Sequence, residues 1–253
     1  MKGKSISRNA SDDIGLMDTF LSRPNPKRWL FSKISYYAWD VAESIRKLSL
    51  FFEPRKIHIN ERILELPFVL QRLPYGAKVL DVGSSSSALA LQLACLGYEV
   101  TGIDVRPYSF QHKNLRFYQE DIANCSILRN SHDFAILIST LEHMGLGSYG
   151  DSTLLSDKEF LDLVAALVKP RGQILVTFPF GARFEGSWYR VYDNDSLHTL
   201  LTGYEIIEKL FAKRTGDFSF EMCNAKDLQN TASETLPVNG VALLNIRKPA
   251  ATT

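Results

Sequence analysis

Between Lys78 and Asp104 the apolar and polar positions change pattern three times. Lys78 to Val82 is a short apolar run interrupted by Asp81, and Gly83 opens a turn of small residues. Ala88 to Leu96 is apolar with helical character and is closed by Gly97, and Glu99 to Asp104 forms a second strand pattern ending in a carboxylate. This order predicts strand, loop, helix, strand. Crossovers of this kind are right-handed, so the loop after Asp81 and the carboxylate of Asp104 should meet at the carboxyl edge of a parallel sheet, where such sheets bind ligands.

Downstream, the same reading places strands over Leu115 to Gln119 and Phe134 to Thr140, the second apolar enough to be buried on both faces. Ser156-Asp-Lys-Glu159 is a capping box opening a helix that runs to Val168, ended by Pro170 and Gly172. Gln173 to Phe180 is the next buried strand. Asp193 to Leu201 is a short helix, and Tyr204 to Lys213 and Val238 to Arg247 supply two more strands around a polar insertion at Thr215 to Pro237. Upstream, Glu61 to Leu73 is a Pro67-interrupted helix expected to cover one face of the sheet, with structural rather than catalytic residues.

The first 57 residues differ in character. Met1 to about Pro26 is polar and irregular, and Ser35 to Phe52 reads as an amphipathic helix carrying aromatic and basic residues and stopped at Pro54. Residues 1–57 are therefore expected to be an arm and helical extension, and 58–253 the main α/β domain. Such a helix suits packing on the sheet, a lid over a substrate, peripheral contact with a membrane surface, or a homodimer interface.

Composition narrows the function classes. Of 253 residues 45% are hydrophobic, enough for a sizeable core, and the net charge of +1 offers no case for nucleic acid as a partner. Cys95, Cys125 and Cys223 are odd in number and show no C-x-x-C spacing, which points to reduced thiols rather than disulfides or zinc. No apolar run approaches the ~18 residues of a transmembrane helix, and the opening residues lack a signal-peptide core, so a cytoplasmic location is expected.

The motif at the first loop separates two cofactor classes. A dinucleotide fold needs G-x-G-x-x-G, whereas here only Gly83 is present, with an acid two positions before it. Asp81-Val-Gly83-Ser-Ser85-Ser-Ser87 resembles motif I of the class I S-adenosylmethionine-dependent methyltransferases, with serines at two positions where glycines are commoner. The stretch from Glu61 to Gly83, and Ser139-Thr-Leu-Glu-His143 with the Gly-Leu-Gly-Ser-Tyr-Gly-Asp that follows Met144, resemble a bacterial subgroup of that family associated with polysaccharide biosynthesis. The likeness covers about Glu61 to Lys248. It implies a Rossmann-like sheet of seven strands in the order 3-2-1-4-5-7-6, the last antiparallel, with helices on both faces.

The resemblance also implies roles. Asp81 would face the cationic amino group of S-adenosylmethionine, with Gly83, Ser84 and Ser85 lining the loop. Asp104 would hold the ribose hydroxyls, Val105 and Arg106 would shape the entrance, Asp121 and Ile122 would meet the adenine, and Ser139 and Thr140 would close the methyl-donor end. His143 is the candidate base for a hydroxyl acceptor, since imidazole titrates near neutrality, or a histidine that fixes its loop; Glu142 would orient cofactor or substrate. A divalent ion held by Glu142 and Asp151 has no spaced ligand cluster behind it, and no metal is expected. Trp188, Arg190 and Tyr192 suit stacking on a saccharide and pairing with an acidic group, or simply anchor their loop. The implied activity is O-methylation of a saccharide or small polar metabolite. The alternatives are an NAD-dependent sugar-modifying enzyme and a methyltransferase-like protein that binds without turnover.

Overall fold

The computed structural model describes Val41 and residues 59–146, 155–231 and 239–248. The expected helix over Ser35 to Phe52 lies outside these apart from Val41, as do Asp151 and the end of the Thr215 to Pro237 insertion.

Helix α1 spans Arg62–Leu70, and strand β1 spans Lys78–Val82. Helix α2 (Leu89–Cys95) leads to β2 (Glu99–Asp104), and β3 (Leu115–Gln119) pairs parallel to β2. Strand β4 (His132–Ile138) starts two residues earlier than its apolar run suggests and stops before Ser139, which takes a left-handed backbone at φ 46°. The carboxyl edge therefore begins at Ser139.

Helix α3 (Asp157–Leu167) opens with the capping box: Ser156 accepts from the Glu159 amide and the Glu159 side chain returns to the Ser156 amide. Its end differs from expectation. The chain passes directly from Leu167 into β5 (Val168–Pro179), with a register shift in the pairing to β4 that absorbs Lys169 to Gly172. A two-stranded hairpin, β6 (Phe184–Glu185) and β7 (Arg190–Val191), follows, then α4 (Asn194–Leu200) capped by Asp193.

Strand β8 (Glu205–Gly216) runs to the hairpin that returns as β9 (Ser219–Cys223), and β10 (Gly240–Arg247) is antiparallel to both β5 and β8. The sheet order is β3-β2-β1-β4-β5-β10-β8-β9, the expected order with an eighth strand at one edge. That strand lies inside the stretch read as a polar insertion. Leu228, on the short helical turn after it, is wholly buried against the core.

Alternating side chains feed two apolar layers. Leu80, Val82, Ala135 and Leu137 pack with Phe160, Leu161 and Val164 of α3, while Val79, Phe134 and Ile136 pack with Phe68 and Val69 of α1 and Leu89, Ala90 and Leu93 of α2. Covering both faces leaves the strand ends as the place where polar groups gather, and the cavity is there.

Candidate active site

A cavity of about 300 Å³ opens at the carboxyl edge, within the usual range of small-molecule sites. Its floor is the β1 loop. Gly83 has φ 77°, a conformation that disfavours a side chain, and a Cβ there would lie 2.7 Å from Thr140 Cγ2 and Oγ1. Thr140 Oγ1 donates to the carbonyls of Val82 (3.2 Å) and Ile138 (3.1 Å), so the loop and the end of β4 interlock.

Asp81 lines this floor, is 4% exposed, and its Oδ2 has no hydrogen-bond partner. Burial raises its pKa to about 7, opposed by the Arg62 charge and reinforced by Asp104. A buried carboxylate with an unpaired oxygen is costly, so a cationic partner entering the cavity would be bound strongly.

Asp104 is held differently. It accepts from the amides of Ser85 and Arg106 at 2.9 Å each, and from Arg106 Nε and Nη2 at 3.2 Å each. Burial alone would raise its pKa, but these Arg106 and Ser85 bonds outweigh it and keep the carboxyl ionised below the usual range. Val105 and Arg106 line the entrance beside it, and Asp121 and Ile122 form the wall beyond β3. Asp121 Oδ1 also accepts from the Ala123 amide at 3.0 Å, capping a helical turn.

At the other end, Ser139, Thr140, Glu142 and His143 line the cavity. His143 Nδ1 lies 2.6 Å from the carbonyl oxygen of Trp188, and since a carbonyl only accepts, Nδ1 carries the proton and Nε2 the lone pair. Burial pushes the imidazole pKa below its ordinary range against the pull of that carbonyl, with Arg106 and Arg190 assisting burial. Glu142 is 3% exposed, with Oε1 3.9 Å from His143 Nε2 and Oε2 without a hydrogen-bond partner. Burial drives its pKa well above the carboxylate range, and Glu65 adds to this.

Four of the sequence-derived residues stand outside the cavity wall. Ser84 is 1% exposed, with its Oγ 3.0 Å from where a Gly102 Cβ would sit on β2. Ser85 reaches the site only through its amide bond to Asp104. Arg190 bonds the Met144 carbonyl at 2.8 Å and pairs with Asp157 and Glu185, and Tyr192 is 1% exposed with its hydroxyl on Asp157 at 2.9 Å. These two tie the β6–β7 hairpin to α3. Trp188 does line the cavity, and its neighbour Tyr189 joins it there.

Helix α1 contributes more than cover. Arg62 lines the cavity, and Glu65, fully buried, accepts from Ser139 Oγ (2.8 Å), Thr177 Oγ1 (2.6 Å) and Arg62 Nη1 (3.0 Å). The signal in the sequence was a carboxylate on the apolar stripe with Phe68 and Val69. Among the described residues no cluster of three or more His, Cys, Asp or Glu side chains is arranged to hold a metal ion.

Solved structures share this architecture. An S-adenosylmethionine-dependent methyltransferase from Methanosarcina mazei superposes with a TM-score of 0.52 at 17% identity over 73% of this chain and 98% of its own. The 1,6-didemethyltoxoflavin-N1-methyltransferase of Burkholderia thailandensis, solved with that substrate and S-adenosylhomocysteine, gives 0.56 at 14% identity over 90% of this chain and 92% of its own. The cyclase SpnF gives 0.53 at 18% identity over 80% of this chain and 91% of its own. At such identity they establish the Rossmann-like methyltransferase fold, and the presence of a cyclase among them shows that this fold does not dictate one reaction. No curated protein matches the sequence. The family model described as Caenorhabditis protein of unknown function, DUF268, matches residues 103–240, more than half of the 253-residue chain. That stretch begins at the end of β2 and takes in the Asp104 carboxylate, the Glu142–His143 turn and the β6–β7 hairpin, and the chain belongs to the DUF268 family.

Proposed function

We propose that the protein transfers a methyl group from S-adenosylmethionine to a hydroxyl of a saccharide or other small polar metabolite, within a catalytic domain spanning 58–253. The carrying observation is the buried, unpartnered Oδ2 of Asp81, set in the same cavity as the ionised Asp104. S-adenosylmethionine presents an ammonium group and a ribose diol, which suit those two carboxylates in turn. The Arg106 side chain makes the two longer of the four bonds to Asp104, so ribose hydroxyls would replace them while the Ser85 and Arg106 amides remain. Asp121 and Ile122 offer an acceptor and an apolar face for the base.

The cofactor supplies an electrophilic methyl on sulfur, and no covalent enzyme intermediate is needed. The chain's own work is positioning, exclusion of water and removal of one proton. His143 supports the last: with Nδ1–H held by the Trp188 carbonyl, the neutral ring has its basic nitrogen at Nε2, the atom that would take up the acceptor's hydroxyl proton. Trp188 and Tyr189 present apolar faces suited to a sugar ring.

A nicotinamide dinucleotide fits less well. Its pyrophosphate would approach the β1 loop, where Thr140 packs against Gly83 and the Asp81 carboxyl lines the cavity. Titrating the protein with S-adenosylmethionine, S-adenosylhomocysteine and NAD tests the choice. Saturable binding of the first two and none of the third is expected, and NAD binding without response to the others would overturn it.

A further inference from the structure

Arg62 belongs to a helix that the sequence assigns to structural cover, yet it lies on the cavity wall one turn before Glu65. Its surroundings are acidic. Asp81, Glu142 and Glu61 line the same cavity, and the Arg62 charge opposes the rise in pKa at Asp81, Glu65 and Glu142 alike. The other guanidinium on the wall, Arg106, is engaged with Asp104 at the opposite end.

The ligand in the proposed function carries one anionic group, the α-carboxylate of its methionine moiety, attached to the same carbon as the ammonium. If that ammonium meets Asp81, the carboxylate on the same carbon lies close to the Asp81 carboxylate as well and needs a cation to receive it. A carboxylate left unpaired in such a wall would cost much of what the ammonium contributes. Among the described residues Arg62 is the cation that lines the cavity with Asp81 and whose charge acts on it.

Its aim is fixed by the fold. Glu65 accepts from Arg62 Nη1 at 3.0 Å while its other oxygen accepts from Ser139 and Thr177 at the ends of β4 and β5. Helix α1 is thus bonded to the strand ends that form the cavity. One guanidinium N–H is used by Glu65, and a guanidinium carries five, arranged to meet a carboxylate two at a time.

Resting on the methyl-donor reading above, we propose that Arg62 binds the α-carboxylate of the cofactor, with Glu65 as the positioning residue that aims it. The N-terminal helix of the domain is then part of the cofactor site.

The test compares three probes by calorimetry: S-adenosylhomocysteine, its decarboxylated analogue that keeps the amine, and 5′-methylthioadenosine, which lacks both groups. In the parent protein the first should bind more tightly than the second. In Arg62→Ala, affinity for S-adenosylhomocysteine should fall about 10- to 100-fold, as for loss of a charged hydrogen-bonded pair, while the other two probes bind as before. Arg62→Lys, which keeps charge but loses the fork, should fall between. Unchanged 5′-methylthioadenosine binding shows that the variant is folded. Equal losses for all three probes, or no loss for S-adenosylhomocysteine, would overturn the assignment and give Arg62 to the acceptor or to α1 packing. Failure of the parent to bind S-adenosylhomocysteine would overturn the methyl-donor reading itself, and the assignment with it.

Discussion

His143 and Trp188 are joined twice: Nδ1 of the imidazole lies 2.6 Å from the Trp188 carbonyl oxygen, and the two rings meet edge to face with centroids 5.5 Å apart. The contact spans from the end of β4 to the tip of the β6–β7 hairpin, so the candidate base is set by a loop 45 residues away. It places the proton of the neutral ring on Nδ1.

This tautomer can be observed without knowing the acceptor. Long-range 15N correlation spectra at pH 7 should show His143 neutral and protonated at Nδ1, and protonation at Nε2 would contradict the geometry. In turnover, His143→Ala should lower kcat by roughly 10²–10⁴-fold and leave S-adenosylhomocysteine affinity unchanged. Because burial lowers the imidazole pKa, the rate in the parent should reach its plateau at a lower pH than an ordinary histidine would give. A loss of affinity equal to the loss of rate would reduce His143 to a residue that fixes its loop.

Gly83→Ala tests the interlock of the first loop with Thr140. A left-handed φ of 77° and the 2.7 Å approach to Thr140 together should cost roughly 2–4 kcal/mol, read as a fall in denaturant midpoint. Adding Thr140→Ala should restore the part due to crowding and not the part due to φ. Full additivity of the two changes would show that the side chains do not meet.

Protonation of Asp81 predicts how stability and affinity vary with pH. Its folded pKa is raised from 3.8 to about 7, so between those values the folded protein holds a proton that the unfolded chain releases. Stability without ligand should therefore fall as pH rises through that window, and Glu65 and Glu142, also raised by burial, act in the same direction. An entering ammonium favours the ionised carboxylate, as Arg62 already does, against Asp104. Cofactor affinity should thus rise with pH up to about 7 and level off, and calorimetry below that value should detect proton release to buffer. Affinity independent of pH from 5 to 8 would remove Asp81 from the ammonium site.

What the sequence disclosed followed from local rules. The β1 loop, the Asp104 strand end and the Ser156 cap depend on residues within a few positions of one another, and the structure contains each. The role of α1 was hidden because Glu65 meets Ser139 and Thr177 at separations of 74 and 112 residues, and polar residues on a covering helix read as its solvent face. Arg190 and Tyr192 lie on the loop after β5 that the sequence offers either for substrate contact or for anchoring, and in the structure they anchor it. Their direction depends on a hairpin of two-residue strands, too short to leave a periodic trace, which turns both toward Asp157. Strand β9 does carry a period-two trace, with Phe218, Phe220 and Met222 alternating with Ser219 and Glu221, but the polar residues on either side of it mask so short a run.

Occupation of the cavity between Asp81 and Asp104 by S-adenosylmethionine is decided by calorimetric titration of S-adenosylhomocysteine into the parent protein and into Asp104→Ala. One saturable site is expected in the parent, with an affinity lower by about 10- to 100-fold in the folded variant, the worth of hydrogen bonds to a charged group. No binding by the parent, or the same affinity in both proteins, would contradict it.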